Sequence, residues 1–320
     1  MKLKHIFFIS ILATPLTAFA GTTLNGAGAT FPAPFYMRVF QDYFSSTGNK
    51  VNYQSVGSGA GVRQFIAGTV DFAASDEPIK SSEASKVSRG VVQFPAVGGT
   101  IAVAYNKRGC SLKLTQKQVV QVFQGQIKDW KALGCASEPI TVVHRSDGSG
   151  TTFAFTSALK AFGGWTSGAA KAINWPVGVG GKGNEGVAGT IKNTPGSIGY
   201  VNTGFAKNSK IQISAVQNKA GKFILPSARS GAAALNGIVL DSNLAGEDFN
   251  PSAAGAYPIS TLTWILAYKS GNGSKTNDLQ SAFNYVLSNK VQMIADDLDY
   301  VPLSGSVLNK SRIAVKRIGQ

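Results

Sequence analysis

The sequence predicts an α/β fold built on mainly parallel sheets. Short apolar runs that are typical of β-strands alternate along the chain with segments that have helical spacing. Many of the 37 glycines lie where a predicted strand is followed by a helix, and open α/β sheets bind ligands at such places. The chain has 320 residues, which is long enough for two domains with a well-buried core.

The individual elements follow from local pattern. Predicted strands cover 51–56, 70–74, 91–94, 100–106, 141–144, 198–201 and 262–268. Predicted helices cover 61–67, 115–124, 151–162, 277–287 and 291–298. In the second of these helices Val119, Val120 and Phe123 fall on one side, which indicates an amphipathic helix. Strands that alternate with helices favour a mainly parallel arrangement.

The first 20 residues have the three-part pattern of a secretory signal peptide. Lys2 and Lys4 make the start positive, an apolar stretch follows over 6–19, and Ala18-Phe19-Ala20 matches a small-x-small cleavage site. A membrane anchor is the alternative, but the apolar stretch is interrupted and is shorter than the roughly 20 residues of a spanning helix. We therefore expect a mature chain that starts near Gly21 and is located in the periplasm.

The chain is strongly basic, with 31 lysines and arginines against 16 acidic residues. Such a balance favours anionic partners through long-range attraction. The basic residues are scattered singly, however, and the export signal argues against a nucleic-acid partner. The densest run, at 310–317, is expected to line the solvated face of a terminal helix. We expect a monomer that binds no nucleic acid.

Two cysteines, Cys110 and Cys135, remain in the predicted mature chain. An even number of cysteines in an oxidising compartment predicts one disulfide. It would close a loop of about 25 residues and stabilise the fold by roughly 3 kcal/mol. Two free buried thiols are the alternative. A metal site is not expected, because His144 is the single histidine of the mature chain and no second Cys/His cluster exists.

Three polar, glycine-containing loops stand out as candidate binding elements. They cover 26–34, 57–61 with Ser75-Asp76 after the next strand, and 145–152. Each loop combines Gly with Ser or Thr and precedes a predicted helix, whose first turn offers unpaired N–H groups and partial positive charge. One such loop alone is better explained as a capped turn. Three loops, with Arg145 in the third, predict an anion site without a metal.

Enzyme motifs are incomplete in this chain. Gly178, Gly180 and Gly183 fit G-x-G-x-x-G, but the acidic residue expected about 20 positions later for a ribose is missing. The serine in 57–61 stands in the wrong place for G-x-S-x-G. No nucleophile and base can be paired by motif, and His144 is expected to be structural. We therefore expect a binding protein without a cofactor, not an enzyme.

At these loops the sequence resembles the periplasmic phosphate-binding proteins of phosphate-specific ABC transporters, the PstS family. The resemblance spans nearly the whole predicted mature chain. The matching stretches are 26–36, 48–78, 145–159, 175–187, 195–201, 257–261 and 296–303. It implies a two-lobe periplasmic binding protein fold of type II, in which each lobe is a mainly parallel sheet flanked by helices and hinge strands join the lobes. Lobe I would contain 21–97 and 257–320, and lobe II 98–256.

The resemblance also implies the ligand, the partner and the site. Inorganic phosphate would bind in the cleft, and a membrane permease would receive it. The implied phosphate-binding residues are Thr30, Phe31, Ser58, Asp76, Arg145, Ser149, Gly150 and Thr151. Phe31 would donate its backbone N–H, Asp76 would accept a proton from phosphate, and Asp147 would pair with Arg145. The 180–186 loop resembles a family signature that implies no ligand role.

The sequence leaves several alternatives open. Asp76 could merely cap the turn that follows it. The ligand could be another oxyanion such as sulfate. The protein could also be a secreted phosphatase or hydrolase, or a surface protein that uses its basic exterior for adhesion. These hypotheses differ in whether the protein prefers phosphate to sulfate, whether it hydrolyses a phosphomonoester, and whether it still binds anionic polymers when the site residues are mutated.

Overall fold

The computed structural model describes residues 22–320, so the predicted signal peptide, residues 1–20, lies outside the described residues. The strands are β1 (Thr23–Gly28), β2 (Lys50–Ser55), β3 (Phe72–Ser75), β4 (Val91–Asn106), β5 (Lys113–Leu114), β6 (Thr141–Arg145), β7 (Val179–Gly181), β8 (Ser197–Asn202), β9 (Gln212–Ile213), β10 (Ala215–Gln217), β11 (Phe223–Ile224), β12 (Ser260–Tyr268) and β13 (Tyr300–Val301).

The helices mostly follow strands, although β9, β10 and β11 come in succession and so do α9 and α10. The α-helices are α1 (Ala33–Thr47), α2 (Ser58–Ile66), α3 (Ser81–Ala84), α4 (Gln116–Phe123), α5 (Gly150–Phe162), α6 (Gly183–Asn193), α7 (Thr203–Asn208), α8 (Ala228–Leu235), α9 (Thr276–Val286), α10 (Asn289–Ile294) and α11 (Gly305–Val315). Short 3₁₀-helices cover Trp130–Leu133, Gly273–Lys275 and Asp296–Leu298.

One mixed sheet organises the molecule, with the strand order β2-β1-β3-β12-β4-β8-β6-β7. Strand β4 is shared by two halves of this sheet. Its residues up to Thr100 pair antiparallel with β12, and its residues from Ile101 onward pair antiparallel with β8. The first half therefore contains β2, β1, β3, β12 and the start of β4. The second half contains the end of β4, β8, β6 and β7.

The outer strands of each half are mutually parallel. Strands β2, β1 and β3 run in one direction, and so do β8, β6 and β7. Strands β12 and β4 lie between these groups and pair antiparallel with their neighbours. The α/β prediction is confirmed, and the parallel groups place the carboxyl ends of their strands next to the helices that follow.

The long strand β4 differs from the two separate strands predicted from the sequence. Pro95 and the pair Gly98-Gly99 interrupt the local pattern. In the structure β4 continues because the register of its partner β12 shifts between Thr263 and Trp264, which leaves one extra residue in β4. Proline lacks a backbone N–H and is tolerated at such bulges. A Cβ at Gly99 would lie 2.6 Å from the buried Phe31 ring, so a larger residue here would displace that ring.

Aromatic side chains form the core under both halves of the sheet. In the first half Phe283 packs edge-on against Phe72, with ring centroids 5.2 Å apart. In the second half Phe155 stacks on Tyr200 at 4.2 Å, and Phe123 packs edge-on against Phe155 at 4.7 Å. Such pairs add specific geometry to the apolar area that they bury. Each half therefore gives a rigid frame to the loops at its strand ends.

Cys110 and Cys135 form a disulfide, with their Cα atoms 5.6 Å apart, which confirms the predicted pair. The disulfide joins the turn after β4 to the segment after the first 3₁₀-helix. The backbone beside it is further fixed because the Tyr105 hydroxyl donates to the carbonyl oxygen of Cys110 at 2.9 Å. The disulfide therefore stabilises one edge of the second half.

The C-terminal helix α11 carries the densest basic run. Lys310, Lys316 and Arg317 are exposed, as expected for a solvated face. Arg312 differs, because its guanidinium donates two hydrogen bonds, of 3.0 and 2.7 Å, to the carbonyl oxygen of Leu287 at the end of α9. A cation at a helix carboxyl end is favourable. Across residues 22–320, every helix is too short or too polar to cross a membrane.

Candidate anion-binding site

Four helices begin at one place, between the two halves of the sheet. These are α1 and α2 from the first half and α5 and α6 from the second. The loops that start them touch directly, since the backbone N–H of Gly150 donates to Ser58 Oγ at 3.0 Å and that of Gly59 donates to the Gly148 carbonyl at 2.8 Å. Side-chain caps are absent from α1, α2 and α6. In α6 the first N–H groups are already used, because Gly183 donates to Asp147 Oδ1 and Asn184 donates to Thr30 Oγ1, both at 3.0 Å. The first turns of α1 and α2 therefore offer most of the N–H groups and partial positive charge that a ligand could use.

Glycines make this close approach possible. A Cβ at Gly150 would lie 2.6 Å from the backbone nitrogen of Asp76, and one at Gly57 would overlap Asp147 Oδ2. Gly57 also has φ of 90°, which residues with a side chain rarely adopt. Gly57 and Gly59 are therefore required by the approach of one half of the sheet to the other, whereas Gly61 is required by its contact with Gly28 in β1 of the same half.

Asp76 lies at the centre of the site and is 1% exposed. Its Oδ1 accepts a hydrogen bond of 2.8 Å from the hydroxyl of Thr263, and its Oδ2 accepts one of 3.2 Å from the hydroxyl of Thr151. Burial raises the pKa of Asp76 to about 7, although the Thr263 hydrogen bond, the charge of Arg145 and the Thr151 hydrogen bond all lower it. This carboxyl group therefore accepts a proton near neutral pH.

The turn after Asp76 is held by a different residue. Ser75 Oγ accepts from the backbone N–H of Glu77 at 3.1 Å and donates to the Glu77 carbonyl at 2.5 Å. Both carboxylate oxygens of Asp76 bond instead to side chains from β12 and α5. Asp76 therefore does not cap this turn, and its carboxyl group faces the cleft between the two halves.

Arg145 brings the strongest positive charge into the site. Its Nε and Nη2 donate to Asp147 Oδ1 and Oδ2 at 2.7 and 2.5 Å. Burial alone would raise the pKa of Asp147, but the hydrogen bonds and charge of Arg145 outweigh it and hold that pKa below the usual value. Nη1 of Arg145 is buried and has no hydrogen-bond partner among residues 22–320. An unpaired buried donor is costly, and an anion oxygen would satisfy it.

Two further predicted ligand residues, Ser149 and Phe31, also have structural contacts. The side-chain oxygen of Ser149 caps α5 by accepting from the backbone N–H of Thr152 at 3.0 Å. Phe31 is buried, and its carbonyl oxygen accepts from the Tyr300 hydroxyl at 2.6 Å. Hydrogen bonds thus bring Thr30, Ser58, Asp76, Gly150 and Thr151 together. Ser149 lies at the start of α5 beside Gly150, Arg145 is close enough for its charge to act on Asp76, and Phe31 is the chain neighbour of Thr30.

An ion-pair cluster at the edge of the site also joins the two halves. Lys171 lies between α5 and β7, and its Nζ is 2.8 Å from Glu77 Oε2 and 3.0 Å from Glu83 Oε1. The same residue accepts the backbone N–H of Ser149 at its carbonyl oxygen, at 2.8 Å. Glu77 is 3% exposed and also pairs with Lys80, whose Nζ is 3.2 Å from Glu77 Oε1. Its buried charge therefore has one partner in each half of the molecule.

Two residues of the site were not predicted from the sequence. Thr263 bonds to Asp76, and no local motif around Thr263 indicates this. Asn184 donates from its backbone and its side chain to Thr30 Oγ1, at 3.0 and 2.8 Å. Asn184 does lie in the 180–186 loop, whose resemblance to a family signature was a signal that this loop has a specific role.

The fold and the site define a class of protein. Residues 13–290 match the model of the PBP superfamily domain. A solved high-affinity periplasmic phosphate-binding protein, with phosphate bound, has a TM-score of 0.77 and 22% identity over 93% of this chain and 99% of its own. A phosphate-binding protein from Stenotrophomonas maltophilia has a TM-score of 0.74 and 20% identity, over 92% and 94%. The chain therefore has the two-lobe fold of periplasmic binding proteins.

Sequence relatives define the family within this class. The chain is 39% identical to the phosphate-binding protein PstS of Haemophilus influenzae, over 97% of this chain and 96% of the relative. It is 38% identical to the phosphate-binding protein PstS of Xylella fastidiosa, over 90% and 83%. The chain belongs to the PstS family of phosphate-binding proteins, which confirms the resemblance found in its sequence motifs.

Proposed function

We propose that this protein captures inorganic phosphate in the periplasm and delivers it to the membrane permease of an ABC-type importer. The observation that carries the proposal is the set of groups at the site. The helix N-termini of α1 and α2 lack side-chain caps, a buried guanidinium nitrogen of Arg145 has no partner in the described chain, and burial raises the pKa of the Asp76 carboxyl group to about 7. Relatives named for phosphate binding support the same ligand.

The proposed ligand residues are those of the site. Phosphate would be bound by Thr30, Phe31, Ser58, Asp76, Arg145, Ser149, Gly150 and Thr151, with Asp147 holding Arg145 in place. The N–H and O–H donors and Arg145 would bind phosphate oxygens, and Asp76 would accept a proton that phosphate keeps near neutral pH. Sulfate has no such proton, so its oxygen would face a carboxylate without a hydrogen bond between them.

The proposed lobes would move relative to each other when the site binds its ligand. Lobe I would contain 21–97 and 257–320, and lobe II 98–256, so the ligand residues are divided between them. Hinge closure around a ligand is one of the established motions of periplasmic binding proteins. The switch of β4 from β12 to β8 after Thr100 offers a hinge in this arrangement. In this proposal the contacts between the two sets of loops belong to the closed form.

The proposed location is the periplasm, reached by cleavage of a signal peptide before Gly21. The intact mass of the exported protein should then equal the chain from Gly21 onward, less two hydrogens for the disulfide. A mass that retains residues 1–20 would contradict cleavage. Labelling of both cysteines in unreduced, denatured protein would contradict the disulfide.

Calorimetry on protein stripped of its ligand tests the function. We expect one phosphate to bind per chain, with far weaker binding of sulfate and no hydrolysis of a phosphomonoester. Arg145→Ala should remove most of the phosphate affinity, whereas Arg63→Ala, on the far end of α2, should not. Equal binding of sulfate, or catalytic turnover, would replace this proposal by one of the alternatives.

A further inference from the structure

Asn184 is a fully buried amide at the start of α6, 0% exposed. Its Oδ1 accepts the backbone N–H of Asn202 at 2.8 Å, and this bond fixes which end of the amide is the oxygen. The two N–H groups of Nδ2 therefore point the other way. They reach Thr30 Oγ1 at 2.8 Å and Thr151 Oγ1 at 3.2 Å.

These bonds determine what the two threonine hydroxyls can do. A hydroxyl has one donor and two acceptor positions. Thr30 Oγ1 accepts from both the side chain and the backbone N–H of Asn184, so its own O–H remains to donate. Thr151 Oγ1 accepts from Asn184 and donates to Asp76 Oδ2. Asn184 thus makes Thr30 a donor in the site and directs Thr151 toward the carboxylate.

The bonds from Asn184 also cross between the proposed lobes. Asn184 and its partner Asn202 lie in the second half of the sheet region, whereas Thr30 lies in the first. The bond to Asn202 can therefore persist when the cleft is open, but the two bonds to Thr30 exist only when it is closed. The bond to Asn202 would therefore contribute to folding of one lobe, and the two bonds to Thr30 would contribute to closure of the cleft.

We propose that Asn184 is a positioning residue for phosphate binding, which orients the Thr30 hydroxyl toward the ligand and holds the closed cleft together. The inference rests on the proposed function. Since its bonds across the cleft form only on closure, their loss should act on the rate of phosphate release rather than on the rate of association. Most differences in affinity within one binding site arise in this way.

The main test is Asn184→Ala, measured by stopped-flow binding of inorganic phosphate. We expect the dissociation rate to rise about tenfold or more, as the loss of buried hydrogen bonds predicts, while the association rate changes by less than about threefold. Asn218→Ala is a matched control, because Asn218 is also buried and its amide donates to the carbonyl oxygens of Ala254 and Ala256, away from the site. It should lower the melting temperature without changing phosphate release.

Asn184→Asp is a second variant that keeps the shape and the bond from Asn202. It removes both donors and adds a negative charge, so phosphate should dissociate faster than from Asn184→Ala. An unchanged release rate in either folded variant would overturn the inference, as would an equal acceleration in Asn218→Ala. If the unmodified protein binds no phosphate, the proposed function itself fails. The unmodified protein therefore distinguishes the two failures.

Discussion

Replacing Asp76 with Asn tests how this site would distinguish phosphate from sulfate. The substitution keeps the size of the side chain but removes its charge and adds an N–H donor. The nitrogen could donate to an oxygen of either anion, whereas the carboxylate can only accept. The hydroxyls of Thr263 and Thr151 each donate to one oxygen of Asp76; in the variant one hydroxyl would donate to the amide oxygen and the other would accept from the amide nitrogen. The change therefore alters the chemistry of one group and leaves the frame of the site in place.

The size of the effect follows from the pKa of Asp76. A rise from 3.8 to about 7 disfavours the ionised carboxylate in the closed cleft by about 4 kcal/mol, at about 1.4 kcal/mol for each pKa unit. Because the pKa of this acid is raised, the penalty is fully present above pH 7 and disappears as the pH falls toward 4. Phosphate relieves it by donating a proton in a hydrogen bond, and sulfate does not.

Calorimetry at pH 8 with phosphate and sulfate measures the effect. We expect the preference for phosphate to fall at least about tenfold in Asp76→Asn, which corresponds to about 1.4 kcal/mol. Asp71→Asn is the control, because Asp71 lies in the same half of the sheet and pairs with Lys275 outside the site. If Asp76→Asn retains the full preference, Asp76 is not the residue that selects the anion, and the reasoning is refuted.

Three further predictions concern pH, closure and the disulfide. The affinity of the unmodified protein for sulfate should rise by up to about tenfold per pH unit as the pH falls from 7 to 5, because Asp76 binds a proton when the cleft closes. Titration calorimetry should show no such rise for Asp76→Asn. Lys171→Met should weaken phosphate binding about tenfold by leaving Glu77 and Glu83 without this partner, whereas Lys160→Met on the exposed face of α5 should leave calorimetric affinity unchanged. Reduction of the disulfide should lower the free energy of unfolding by about 3 kcal/mol, measured in urea; equal midpoints with and without reductant would contradict this.

The elements of the fold were predictable where the local pattern decides them. The strand predicted at 141–144 is observed as Thr141–Arg145, and the helix predicted at 151–162 is observed as Gly150–Phe162. The continuity of β4 was not predictable, since Pro95 and two glycines interrupt its pattern. The strand continues through them because it pairs with β12, whose residues lie 160 to 177 positions further along the chain than their partners in β4. Tertiary pairing of this kind overrides local preference.

The residues of the site were likewise predictable only where a local pattern indicates them. Its loops could be found because glycine and hydroxyl residues before a helix form a local signal. Thr263 and Asn184 could not be assigned, because the first meets Asp76 across 187 residues of sequence and the second meets Thr30 across 154. Neither bond leaves a trace in the spacing of neighbouring residues. Such side chains become visible only once the fold places the four helix starts together.

The basic character of the chain and the chemistry of the site are separate properties. The net charge is +15, yet the positive charge of Arg145 inside the site is already paired with Asp147. When Asp76 is ionised, Arg145, Asp147 and Asp76 together carry a net negative charge. Attraction to the net charge of the site therefore would not bind an anion here. Binding must come from oriented N–H and O–H donors and from helix N-termini. Surface charge would then affect how fast an anion arrives, while the fixed donors determine which anion remains bound.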